Sequence, residues 1–203
     1  MKTADAPVEF YFDFSSPYGY LASELIDDLA AAHGRSVAWR PILLGAVFKA
    51  TGSQPLVHQP MKGAYALRDF ARSARFHGLP FAMPAVFPVA TQAAARACYW
   101  LQGEDDAAAR RLAHALYRAY FIGGRNIGET DTVLAVGEEL GVAPARLEAA
   151  LAEPAVKERL RAETESAIAR GVFGSPYFVV DGEPFFGVDR LPQLEKWLKR
   201  GGF

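Results

Sequence analysis

The sequence predicts an α/β fold in which a βαβ unit and a ββα unit, from opposite ends of the chain, complete one sheet around a large all-helical insertion. Three observations carry this. An alternating apolar run, a helical pattern and a second apolar run open the chain. Two short apolar runs joined by Asp-Gly close it, and the long stretch between is rich in Ala, Leu, Arg and Glu at helical period.

Val8–Phe14 alternates and is rich in Val, Phe and Tyr, so it reads as a core strand. From Pro17, the residues Leu21, Leu25, Leu29 and Ala32 recur at helical spacing up to a stop at Gly34. Ser36–Ile42 returns to strand character, and the right-handed crossover makes the two strands parallel. Tyr177–Val180 and Glu183–Phe186, joined by Asp181-Gly182, read as a hairpin; a helix over 190–199 follows, with Asp189 placed to cap it. Between these ends the periodicity predicts helices near 61–76, 91–102, 105–122, 131–140, 144–151 and 153–170, with Pro84 and Pro88 in an extended link. Neither two-stranded piece is stable alone, so both must share one sheet. That is a thioredoxin-like fold, with 1–59 and 172–203 forming a discontinuous domain and 60–171 an inserted helical domain. The groove between sheet and insertion is the natural ligand site.

Composition narrows the function classes. The 203 residues are 51% hydrophobic and 22% charged, a globular balance, and a formal net charge of −1 gives no pull toward nucleic acid or acidic lipid. No stretch is apolar enough for a membrane span, and MKTADAPVEF lacks the apolar segment of a secretory leader, so a cytoplasmic location is expected. The single cysteine, Cys98, excludes an internal disulfide and a CxxC pair and reads as a small buried hydrophobe. His33, His58, His77 and His114 lack the close spacing of a metal site, and no metal is expected.

Three short stretches carry chemistry. In YFDFSSPYGYLA the strand gives way to Ser15-Ser16-Pro17-Tyr18 and then to a helix. Ser16 is the natural N-cap and Pro17 the natural first helical residue, and capping alone accounts for both. The same place also suits an anion, because a helix N-terminus offers unpaired N–H groups and the positive end of its dipole. A serine there can donate to a thiolate but cannot exchange disulfides, so any thiol must come with a ligand. In GVFGSPYF, Ser175-Pro176 is a place for a cis bond, and the bend would leave the Ser175 backbone free to pair with an extended peptide. In FGVDR, Asp189 can cap a helix and also hold an ammonium group. A Pro-rich loop at 52–65 is accompanied by Lys49, Lys62 and Arg68, which the residues alone do not distinguish from solvated surface cations.

Together FYFDFSSPYGYL, RPILLGAVFKATGSQP, KGAYALRDF, YRAYFIGGRNI and ARGVFGSPYFVVDGEPFFGVDRL resemble, in order and over nearly the whole chain, the bacterial 2-hydroxychromene-2-carboxylate isomerases. Those enzymes stand with the kappa-class glutathione transferases in the DsbA-like branch of the thioredoxin superfamily. The resemblance implies a glutathione-dependent enzyme, usually a homodimer, that interconverts 2-hydroxychromene-2-carboxylate and trans-o-hydroxybenzylidenepyruvate in naphthalene-type aromatic catabolism. It implies Ser16 as the catalytic residue at the glutathione sulfur, Ser175 paired through its backbone with the tripeptide, and Val188-Asp189 at the γ-glutamyl end. Ser53 and Lys62 would come from the facing loop. Lys49, with Arg68 in reserve, is the expected cation for the substrate carboxylate.

The chain departs from the family pattern at Ser53, commonly Asn, at Ser175, commonly Val or Leu, and at Tyr177, commonly Thr and here expected to narrow the acceptor site. The nearest rival reading is a kappa-type glutathione transferase, which needs the same glutathione site. A disulfide oxidoreductase is opposed by the missing CxxC and export signal, and a non-catalytic glutathione- or peptide-binding module by the intact Ser16 and Lys62.

Overall fold

The computed structural model describes residues 6–203. The two chain ends meet in one sheet of β1 (Val8–Phe12), β2 (Val37–Pro41), β3 (Tyr177–Val180) and β4 (Glu183–Phe186), in the order β2-β1-β3-β4. β1 and β2 are parallel with Phe10 opposite Trp39, while β3 runs antiparallel to both β1 and β4. The alternation that predicts β1 gives the sheet two apolar faces. Phe10 and Phe12 lie on one with Trp39 and Phe178, their ring centroids 5.0 to 5.3 Å apart; Tyr11 and Tyr177 lie on the other with Ile42, Val47 and Val172. Burying each such aromatic ring contributes roughly 1.5–3 kcal/mol. Asp181 and Gly182 both take positive φ, 53° and 87°, as a tight two-residue hairpin turn requires.

The helices are α1 (Pro17–Ser23), α2 (Ile26–Ala31), α3 (Leu44–Thr51), α4 (Lys62–Phe76), α5 (Gln92–Gln102), α6 (Asp106–Phe121), α7 (Thr130–Glu139), α8 (Pro144–Ala152), α9 (Pro154–Ala169) and α10 (Leu191–Arg200). From α4 to α9 the observed ends match the expected ones to within a residue. Apolar periodicity and Gly or Pro boundaries set them locally, so local sequence suffices. Leu112, Leu116, Tyr117 and Tyr120 of α6 join Phe10, Phe12 and Phe14 in one apolar cluster, so sheet and inserted helices share a core. Among the described residues no helix is long and apolar enough to cross a membrane.

Four expectations are corrected. β1 ends at Phe12, because the Asp13 N–H turns away to the Ser175 Oγ at 3.0 Å. The single helix expected after Pro17 is two, broken at Glu24-Leu25, where the Glu24 carboxylate is drawn to Arg118 of α6 at 2.9 and 2.6 Å. α3 stands where no helix was expected; its first N–H, that of Leu44, is bonded by the Asp13 carboxylate at 2.7 Å, a cap from 31 residues earlier that no local pattern reveals. Asp189 is not a cap. It lies inside a 3-10 turn, Val188–Arg190, its side chain makes no capping bond, and its carboxylate instead meets Arg190 at 3.2 Å.

Candidate active site

The segments after β1, β2 and β4 and before β3 emerge at the same end of the sheet, and with α4 and the 87–92 link they enclose a cleft of about 1100 Å³. Ser16, Ser53, Ser175, Val188 and Asp189 all line it. Lys49, Lys62 and Arg68 are exposed and lie outside the lining; its charged members are Asp13, Asp69, Asp189 and Arg190.

Ser16 caps α1 as its sequence position predicts, with Pro17 first in the helix. Its Oγ accepts the Gly19 N–H at 3.0 Å and donates to the Ser175 carbonyl at 2.9 Å. The expected row of unpaired helix N–H groups is largely used up: Pro17 has none, Gly19 donates to the Ser16 hydroxyl, Tyr20 to the Ser16 carbonyl, and Ser16 itself to Asp13. The polar group presented to the cleft is therefore the hydroxyl, more than the end of a seven-residue helix.

The Ser175–Pro176 bond is cis, as expected, and Phe87–Pro88, also on the lining, is cis as well. The Ser175 backbone is less free than expected, since its carbonyl already accepts the Ser16 hydroxyl; a carbonyl keeps a second lone pair for a further donor. Its side chain, unusual for the pattern, satisfies the Asp13 N–H left beyond the end of the β1–β3 ladder.

Beneath these serines, Asp13 accepts from the Ser15 N–H at 2.8 Å, the Thr91 hydroxyl at 3.1 Å and the Leu44 N–H at 2.7 Å. Burial pushes its carboxyl above the ordinary range, and those three donors act in the opposite direction. Gly19 is dictated by close approach: a Cβ would lie 2.6 Å from the Tyr117 hydroxyl and 2.9 Å from the Ser175 Oγ. Tyr117 in turn donates to the Asp13 carbonyl at 3.0 Å. On the α4 side, the Tyr18 hydroxyl donates to Asp69 at 2.5 Å, and Tyr65, Arg72 and Ser73 bond the same carboxylate. Burial and that carboxylate together push the Tyr18 hydroxyl well above its ordinary pKa, so it stays a donor.

Phe173 and Phe186 stand half exposed on the lining with centroids 4.6 Å apart, Phe186 packed so close to Gly174 that a Cβ there would collide with it. Tyr177 is buried behind them and does not line the cleft, so it supports the cleft wall and does not narrow it. Gly187, at φ 104°, leaves room for the Asp189 carboxylate to fold back over it. Sequence reasoning missed Asp13, Gly19, Tyr117 and Arg190. Only Gly19 left a signal, a glycine inside a predicted helix.

A family model described as the DSBA-like thioredoxin domain matches residues 7–199. The chain is 31% identical to a 2-hydroxychromene-2-carboxylate isomerase of Sphingobium xenophagum, over 94% of this chain and 97% of that one. It is 28% identical to the glutathione S-transferase kappa 1 of Rattus norvegicus, over 98% and 95%. A solved structure of a 2-hydroxychromene-2-carboxylate isomerase superposes with a TM-score of 0.86 at 30% identity, covering 96% of this chain and 95% of that one.

Proposed function

Because this chain belongs to the DSBA-like thioredoxin family, and within it to the 2-hydroxychromene-2-carboxylate isomerases, we propose that it is a glutathione-dependent cis–trans isomerase. Its substrate pair would be 2-hydroxychromene-2-carboxylate and trans-o-hydroxybenzylidenepyruvate. The observation that carries the reading is the buried Ser16 hydroxyl at the cleft floor, in a chain whose single cysteine, Cys98, is buried elsewhere.

The residues present fit glutathione. Ser16 offers a hydroxyl for the sulfur, the Ser175 carbonyl an acceptor for a peptide N–H, and the Asp189–Arg190 pair opposite charges for an ammonium and a carboxylate. Ser53 and Val188 complete the proposed binding set. When bound, glutathione supplies a thiolate that adds reversibly to a conjugated alkene and so frees it to rotate. The chain's own work is then to turn the Ser16 O–H from the Ser175 carbonyl toward the sulfur, which leaves that carbonyl to the tripeptide backbone. Phe173 and Phe186 give a flat aromatic substrate a wall to lie against. A homodimer, carried over from the family resemblance, and a cytoplasmic location complete the proposal.

Similarity to the rat kappa-class enzyme favours a second reading, conjugation of an electrophile. Product analysis separates the two. The isomerase returns free glutathione after many turnovers on the chromene, whereas stoichiometric loss of glutathione into a conjugate, with no isomerised product, would replace the first reading by the second.

A further inference from the structure

We propose that Asp13 is a positioning residue that sets the cleft geometry, and with it the place of the Ser16 hydroxyl, by tying together the separate segments that form floor and walls. The proposal rests on the reading of this cleft as the active site.

The residue is 4% exposed. Oδ1 holds the Ser15 N–H of the loop that carries Ser16 and the Thr91 hydroxyl at the start of α5. Oδ2 holds the Leu44 N–H at the first turn of α3. The backbone of the same residue donates to the Ser175 Oγ at 3.0 Å and accepts from Tyr117 of α6 at 3.0 Å and from the Ser16 N–H at 2.9 Å. Four segments distant in sequence thus converge with the adjacent Ser15-Ser16 loop on one residue, and that loop and three of the four contribute directly to the cleft lining.

The hydrogen-bonding partners of the carboxylate are two backbone N–H groups and one hydroxyl, with no cation among them. A desolvated carboxylate without an ionic partner is tolerated only while its donors remain in place, so the geometry of those donors is enforced. Because both oxygens are already engaged and the group is buried, it acts through Ser15 and Ser16 and does not act on the substrate.

The test uses two variants. Asp13→Asn keeps the shape but sets an amide N–H against either the Ser15 or the Leu44 N–H. Thr91→Val removes one donor at constant volume and keeps the other two. Amide hydrogen exchange of Ser15 and Leu44 is measured in the chain alone, glutathione affinity by calorimetry, and kcat and KM with the chromene. Asp13→Asn is expected to speed exchange at one of the two amides by about tenfold or more. It should also lower kcat by roughly ten- to a hundredfold while glutathione Kd moves less than about threefold. Thr91→Val should leave both amides protected and lower kcat/KM about two- to fivefold. Should Asp13→Asn fail to fold, Thr91→Val decides alone, and wild-type kinetics in it overturn the proposal. Unchanged exchange at both amides in a folded Asp13→Asn also overturns it, as does a kcat loss matched by an equal loss of glutathione affinity. A wild-type chain without isomerase turnover defeats the functional reading instead, and leaves the exchange measurement as the test of the wiring.

Discussion

On one side of the cleft, Asp13, Ser16 and Ser175 are buried and, with Tyr117 of α6 behind them, hydrogen-bonded together; on the other, around 53–68, Tyr65 on the lining and Met61, Lys62 and Arg68 outside it stand in solvent. The first side is set when the chain folds, because each buried polar group finds its partner only in the native arrangement. The second side offers long, mobile side chains that must lose rotamer freedom to hold a ligand, roughly 1.5–2 kcal/mol for a fully fixed Lys or Arg. Chemistry is therefore expected from the buried side, and only modest help from the exposed one.

Substitutions on the two sides should separate accordingly. The largest effect is expected from Ser16→Ala, which removes the hydroxyl proposed for the sulfur: turnover should fall roughly ten- to a hundredfold, with about 1 kcal/mol of stability lost with the cap. Wild-type turnover in this variant would remove the catalytic role. Gly19→Ala drives a methyl into the Tyr117 hydroxyl and the Ser175 Oγ and should cost about 1–3 kcal/mol, read as a lower Tm together with lost activity. An unchanged Tm would mean that the floor yields more easily than its hydrogen bonds suggest. Asp189→Asn, on the exposed rim, should weaken glutathione binding about tenfold at constant Tm, since Asp189 caps nothing. A fall in Tm with unaltered affinity would reverse that assignment. Lys62→Ala and Arg68→Ala should each change glutathione affinity by less than about twofold; a tenfold loss would show that 52–68 folds over the ligand and that the exposed side matters as much as the buried one.

The smallest effect lies outside both sides, where His114 of α6 faces Glu24 at 3.6 Å and Asp27 at 3.5 Å, with Arg110 and Arg118 beside the same carboxylates. Burial pushes the imidazole down, but the Asp27 and Glu24 carboxylates outweigh it and hold its pKa above the ordinary value. A raised folded-state pKa gives stability that is fully present below about pH 6.5 and lost as pH rises through the folded value. The Tm gap between wild type and His114→Gln should accordingly narrow from about pH 6 to pH 9; a constant gap would mean that the histidine is held neutral.

How much of this was legible in the sequence follows the range of the forces. The six inserted helices, the four strands and the Asp181-Gly182 hairpin were readable because their signals lie within a few residues of the structure they specify. Ser16, Ser175, Val188 and Asp189 were identified from motifs that the fold brings to one cleft. α3 was not readable, because its first amide is bonded by Asp13 from another segment. The break at Glu24-Leu25 was not readable either, since ELIDDL holds no Gly or Pro and the ion pairs to Arg118 and His114 come from α6. Lys49 and Arg68 were named as cations near a loop and Lys62 from the family resemblance, and neither ground says which way an exposed side chain faces.

By itself, then, the sequence determined the strands, the inserted helices, the sheet-plus-helices plan and a serine at the first helix cap, because propensity, periodicity and capping act over one or two turns. Only the tertiary structure decided that the Ser16 hydroxyl rests on the Ser175 carbonyl, that Asp189 pairs with Arg190 and caps nothing, and that Asp13 gathers the cleft around it. Those outcomes depend on donors and acceptors as many as 162 residues apart meeting where water is excluded, and a buried polar group takes whichever partner the packing delivers.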